Sequence, residues 1–262
     1  MTDPLARINV PAKGNQKLEK FMSCVNADPE LTQLWKSANV NAVDRAGMSD
    51  HGPVHVQIVA NAAYKMLRLL VAAEVPPSIV KDHGLENDDA AIVVVGGALL
   101  HDIGMAVQRE NHELLGASIA WDTLRRVLSP IYEPGERTIV AADILHCMIA
   151  HQTDEICLTI ESGIVKVADA LDMTHGRSRI PFEAGEVNIH SVSAQAIKSV
   201  ELKTGILKPI RVEIQMNNYA GIFQLDELLK RKLRTSTISE CVEVSATITG
   251  DPGRDLGVVY SL

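Results

Sequence analysis

Aromatic side chains are scarce in this chain: three Phe, two Trp and four Tyr among 262 residues, 3% in all. That is too few for a platform on which bases of a single strand would stack. Positive charge is in the minority as well, 25 Lys and Arg against 33 Asp and Glu, for a net charge of −8. An acidic balance argues against a protein that holds long nucleic acids by neutralising phosphates, so no stable nucleic-acid complex is expected. Cysteine is sparse and scattered (Cys24, Cys147, Cys157, Cys241), with no CxxC pair. No disulfide framework follows from such spacing, and a reducing cytoplasm suits it. The opening residues MTDPLARINVPAKGNQ contain no apolar signal core. The longest apolar run, residues 90–100, has 11 residues, whereas a membrane span needs about 20. These absences lead to the expectation of a cytoplasmic protein without a membrane partner. What is present is an ordinary globular composition, 46% hydrophobic and 22% charged, with nine histidines.

Apolar spacing predicts one or two short helices over residues 17–37 and a long helix over 55–75 that Pro76 and Pro77 stop. Ser49 or Asp50 is expected to cap that long helix, with Pro53 in its first turn. The segment AAIVVVGGALLHDIG is rich in β-branched residues, yet Ala and Leu continue it to Leu100, so a buried helix is preferred to a strand. Asp88 or Asp89 is expected to cap it. Three more helices are expected in GASIAWDTLRRVL, TIVAADILHCMIAHQ and TIESGIVKVADALDM. After about residue 180 the pattern changes to alternation, in EVNIHSV, SVELKTG, PIRVEIQMN and ECVEVSATIT, with an amphipathic helix GIFQLDELLKRKLR before the last. The expected architecture is mainly α: a helical domain over 1–182 followed by a small α+β domain over 183–262.

The informative residues are polar ones set in apolar helices. They are His55, the pair His101-Asp102 with Gly104 behind it, His112, His146 and His151 on one helix, and Asp169 in IVKVADALDM. Such groups are seldom buried unless paired or bound to metal. Five segments each bringing one or two of them imply convergence on a common point. Imidazole and carboxylate together suit divalent transition metals, and Asp102 has two oxygens with which to bridge two ions. Gly104 is expected to help end the helix at the His-Asp pair.

This order of residues resembles the HD-domain metal-dependent phosphohydrolase superfamily. The resemblance covers about residues 40–182: HVQIVA is similar to the first-His helix, ALLHDIG to the defining HD motif and VADALDM to the final segment. It implies a helical-bundle HD domain whose metal ligands are His55, His101, Asp102 and Asp169. His112, followed by Gly116, and a His at the end of the next helix would serve a second ion, with His151 the better match and His146 the alternative. One or two divalent ions are implied, of Mn, Fe, Co, Ni, Zn or Mg. The implied activity is hydrolysis of a phosphate ester of a small nucleotide-like metabolite. Water activated by metal would attack phosphorus, with Asp102, Lys166 and His51 as catalytic candidates. Arg45, Arg109 and Arg177 are candidates for holding the phosphate. Asp172, three residues past Asp169, is a candidate to support a ligand. Relatives with the HDIG element often continue with Lys; here Met105 follows, and Arg109 is the candidate replacement. The HHE and GYP patterns of cyclic dinucleotide phosphodiesterases are missing. A regulatory or scaffold protein that keeps the metal is the alternative, and an HD-fold oxygenase with two irons shares a similar ligand set. The apolar strand faces after residue 186 leave room for a homodimer.

Overall fold

The computed structural model describes residues 7–173 and 193–248. The first helical stretch is two helices, α1 (Gln16–Ala27) and α2 (Pro29–Asn39). Asp28 separates them: its side chain accepts from Leu31 N at 3.0 Å, and Pro29, which has no N–H to lose, starts α2. A π-helical stretch, Val40–Arg45, follows. The long helix α3 is Pro53–Ala72, with Gly52 at the cap position. Asp50 still caps it from two residues further out, since its Oδ1 accepts from Gly52 N and His55 N at 3.0 and 3.2 Å.

The short α4 (Ser78–His83) leads into α5 (Asn87–Leu100). The apolar segment is therefore a helix, and 12 of its residues are buried. Its cap is Glu86, and Asp89 closes the capping box from inside the helix by accepting from Glu86 N at 2.9 Å. α5 is the central rod, packed against α3, α1, α7 (Pro134–Ala150) and α8 (Ile160–Ala170). Gly97 makes the α7 contact possible: a Cβ there would lie 2.6 Å from Cys147 Cβ. Trp35 Nε1 donates to Leu99 O at 2.7 Å, which satisfies a carbonyl of the last helical turn. A 3₁₀ turn (Ile103–Ala106) and α6 (His112–Leu128) complete the bundle. The helical run Asn87–Ala106 has the length and apolarity of a membrane span, because helix continues past both ends of the 11-residue run. Yet 94% of that window is buried inside the fold, so core packing accounts for its composition.

Three of the four expected strands are present; EVNIHSV lies outside the described residues. β1 (Ile197–Thr204) pairs antiparallel with β2 (Ile210–Met216), and β2 pairs parallel with β3 (Val242–Ile248). The β2–β3 crossover holds a helical segment over 222–235, called α9 below, whose middle, Leu225–Lys230, is π-helical. Ile210, Val212 and Ile214 of β2 and Val242, Val244 and Ala246 of β3 are buried, while the residues between them are not. This apolar face merges with the bundle: one cluster runs from Phe21 and Trp35 through α5 to Val212 and Val244. The expected boundary at 182/183 falls outside the described residues, and the described parts on either side share a single core.

Asp143 on α7 gives the fold a pH dependence away from the histidines. Burial, with Glu161 and Asp82 nearby and His83 opposing, pushes its carboxyl up to about 6. An acid raised in this way binds its proton more tightly when folded. Its contribution is fully present below the unfolded value of about 3.9 and is lost as pH rises through about 6. Asp143→Asn is therefore expected to stabilise the protein at pH 8 by about 1 kcal/mol, once solvent screening is allowed for. Thermal melts should show a gain of about 2–4 °C at pH 8 that shrinks at pH 4. An equal gain at both would contradict the assignment.

Candidate metal centre

Five helices deliver polar groups to one place, each from an end. His55 is the third residue of α3, and His101 follows the last residue of α5. Asp102 leaves helical geometry (φ −103°, ψ 4°), so the adjacent side chains of His101 and Asp102 can serve the same point. His112 opens α6, His151 follows α7, and Asp169 is the last residue but one of α8. At helix ends the apolar packing gives way, so polar side chains meet there without splitting the core.

The coordinating atoms are close. Nε2 of His55 lies 3.1 Å from Nε2 of His101, 3.4 Å from Asp102 Oδ2 and 3.4 Å from Asp169 Oδ1. His101 Nε2 lies 3.1 Å from Asp102 Oδ2 and 3.7 Å from Asp169 Oδ1. On the other side, Asp102 Oδ1 lies 3.1 Å from His112 Nε2 and 3.6 Å from His151 Nε2. Asp102 thus divides its oxygens between two sets of imidazoles.

The far nitrogens fix the tautomers. Nδ1 of His101, His112 and His151 donates to the carbonyls of Ala98, Arg109 and Met148, at 2.8, 2.9 and 2.5 Å. His55 Nδ1 donates to Asp172 Oδ2 at 2.6 Å, the supporting place expected for that acid. With Nδ1 donating outward, Nε2 of each ring faces the cluster, and in its neutral form the ring presents a lone pair there. Two such lone pairs facing at 3.1 Å favour a cation between them. Ligand atoms at about 2.1 Å from a divalent ion lie about 3.0–3.4 Å from one another, which matches the closest spacings here. The donor set therefore fits a divalent metal on its own geometry.

Burial opposes ionisation of Asp102, but the imidazoles of His101, His112 and His55 against it hold its carboxyl well below the usual range. Burial likewise opposes ionisation of Asp169, and Lys232 with His55 and His101 overrides it. His151 is pushed down to about 3 by burial and then by His101, so it stays neutral at physiological pH. Burial lowers His112, yet Asp102 and Glu113 leave it raised overall.

The HD domain model matches residues 51–174, a span that contains all six of these side chains. The uncharacterized protein MJ1020 of Methanocaldococcus jannaschii is 42% identical over 219 residues, covering 84% of this chain and 85% of that one. The chain is an HD-domain protein. Its superfamily is that of the HD-domain phosphohydrolases. Ribonuclease Y of Thermotoga petrophila and of Thermotoga maritima are each 27% identical over 179 residues, 64% of this chain and 30% of theirs. No solved structure matches the chain.

The HD domain places the other sequence candidates unequally. His51 is buried in the wall of a cleft of about 860 Å³ that opens onto the cluster, and its Nδ1 donates to Ser49 O at 2.7 Å. Arg109 lines the same cleft. His146 does not join the cluster. Five residues on a helix is about 140° of rotation, so it and His151 face different ways, and its Nε2 accepts from Leu158 N at 3.0 Å. Lys166, expected to reach the side of Asp169, lies away from the cleft as well. It is fully buried, and its Nζ donates to Glu155 O and, at 2.8 Å, to Thr235 Oγ1, tying α8 to α9 rather than facing the cleft. Arg45 is absent from the cleft lining and donates to Asn41 Oδ1 at 2.7 Å. Arg177 lies outside the described residues. Met105 is buried against Ala38 and Ala42, so that position offers the cleft no cation.

Gly104 has a different role from the one expected. α5 has already ended at Leu100, and Gly104 sits inside the 3₁₀ turn without a positive φ. Its missing Cβ lets the backbone of α6 come close, which brings in His112. Two groups escaped the sequence reading. Glu113 lies beside His112 at the cleft, its Oε2 3.5 Å from His112 Nδ1. Lys232 reaches from α9 to pair with Asp169 Oδ2. An acid next to a candidate histidine was a usable signal for Glu113; a lysine in an amphipathic helix gives none.

Proposed function

We propose that this protein hydrolyses a phosphate ester of a small nucleotide-like metabolite, using one or two divalent ions held by His55, His101, Asp102, His112, His151 and Asp169. The observation that carries this reading is Asp102, whose two oxygens face two separate imidazole groups at the floor of a cleft. A divalent ion bound there supplies Lewis-acid polarisation of a phosphoryl oxygen and a more acidic water. The chain's own groups do the rest. His101, His112 and His151 are locked by backbone carbonyls, so their donor nitrogens need no reorganisation. Asp172 orients His55 in the same way. Arg109 and Lys232 bring positive charge to the cleft for the remaining phosphate oxygens. His51, oriented in the cleft wall by its Nδ1 bond to Ser49 O, is the candidate for exchanging a proton with the leaving oxygen.

The cleft is of a size for a small ligand, and the net charge of −8 disfavours a long polyanion. The name of the more distant relatives, ribonuclease Y, adds support for phosphodiester chemistry. The test is a screen of nucleotides, cyclic nucleotides and generic phosphodiesters with Mn²⁺, Co²⁺ or Ni²⁺. Hydrolysis that a chelator abolishes and added metal restores is the expected result. Hydrolysis of none of them by metal-loaded protein would favour the non-catalytic alternative.

A further inference from the structure

We infer that Lys232 is the resident counter-ion of Asp169 in the metal-free protein and becomes the contact for the substrate's phosphate once metal is bound. This inference rests on the phosphohydrolase reading and assigns the strand-bearing part of the chain a direct place in its site. Asp169 divides its oxygens: Oδ1 faces His55 and His101, at 3.4 and 3.7 Å, and Oδ2 is held by the Lys232 ammonium. The lysine side chain is 9% exposed, so the pair is shielded from water. A buried carboxylate needs a cation, and Lys232 supplies one while metal is absent.

The placement comes from α9. Gln224, Leu228, Arg231 and Lys232 of α9 all line the cleft. α9 in turn is anchored to α8 by Lys166 through Thr235 Oγ1, so the lysine is delivered by a fixed element. Arg231 is engaged at the rim by Asp154, at 3.2 Å, and by Glu227, at 3.6 Å. Lys232 is deeper than Arg231, whose side chain is 49% exposed.

A divalent ion held by His55, His101 and Asp169 would balance the carboxylate charge that the ammonium balances here, and would repel the ammonium at short range. The lysine stem is flexible, and the open direction is the cleft. An anion there gains a charge-assisted hydrogen bond from Nζ. Metal and Lys232 thus compete for Asp169, whereas metal and phosphate bind cooperatively.

Calorimetric titrations separate these claims. Mn²⁺ is titrated into metal-free protein and inorganic phosphate into Mn²⁺-loaded protein, for wild type, Lys232→Met, Lys232→Gln and Lys232→Arg. Removing the ammonium is expected to tighten Mn²⁺ binding several-fold and weaken phosphate by about tenfold, the loss of one charge-assisted bond. Lys232→Arg should retain most of the phosphate affinity. Lys232→Met keeps the length of the stem, so folding can be checked independently of charge. Weaker binding of both ions in Lys232→Met and Lys232→Gln would indicate a merely structural role and overturn the inference. Unchanged phosphate affinity in those variants would do the same. If wild-type protein loaded with Mn²⁺ neither binds phosphate nor hydrolyses any ester, the phosphohydrolase reading itself falls. Wild-type hydrolysis with Lys232 variants like wild type in both titrations sinks only this inference.

Discussion

Asp102→Ala is expected to lower metal-dependent hydrolysis by about 10³-fold or more while leaving the fold intact. Asp102 sits between the two halves of the cluster and offers one oxygen to each. Its Oδ2 faces His55 and His101, and its Oδ1 faces His112 and His151. Removing it takes a ligand from each half and the negative charge that makes a cation favourable there. The variant should also lose the thermal stabilisation that divalent ions give the wild type, because linkage requires binding to the folded state. Melting curves with and without Mn²⁺ therefore read out the same loss without an assay. A variant that still melts higher with Mn²⁺ and still turns over would exclude Asp102 as a ligand.

Gly104→Ala is expected to destabilise the protein by about 3 kcal/mol or more. A Cβ at that position would lie 1.9 Å from His112 O and 2.5 Å from Gly116 N. Both are backbone atoms, so no rotamer change relieves the clash; α6 has to move away from the 3₁₀ turn. For a chain of this size the melting temperature should fall by roughly 6–12 °C. His112 stands at the start of α6 and moves with it. The binding half formed by His112 and His151 should weaken, while that of His55, His101 and Asp169 persists. Melts and metal titrations check both effects. A loss of under about 1 kcal/mol with unchanged metal binding would show that the helices separate at little cost.

Much of this site was legible because its residues violate their surroundings. Asp102 and Asp169 follow apolar runs that leave no purpose for a charge except pairing or metal. The helix over 87–100 was legible from its length, since Ala and Leu carry it beyond a strand. What stayed hidden depends on tertiary packing. The spacing of Lys166 and Asp169 places them near one side of α8, but not that α9 covers Lys166 there. Lys232 is 63 residues from Asp169 and looks like any cation of an amphipathic helix. Gly104 next to a helix end reads as a terminator, and only the approach of α6 reveals a packing role. His146 and His151 share one helix and one apolar context, and the rotation between them selects His151.

The His and Asp side chains at the five helix ends together offer the ligand set of a metal centre. Elemental analysis after equilibrium dialysis of chelator-stripped protein against Mn²⁺ tests it most directly. Wild type should retain one to two ions per chain, and Asp102→Ala should lose that binding. Wild-type protein that is folded and retains no ion would contradict it.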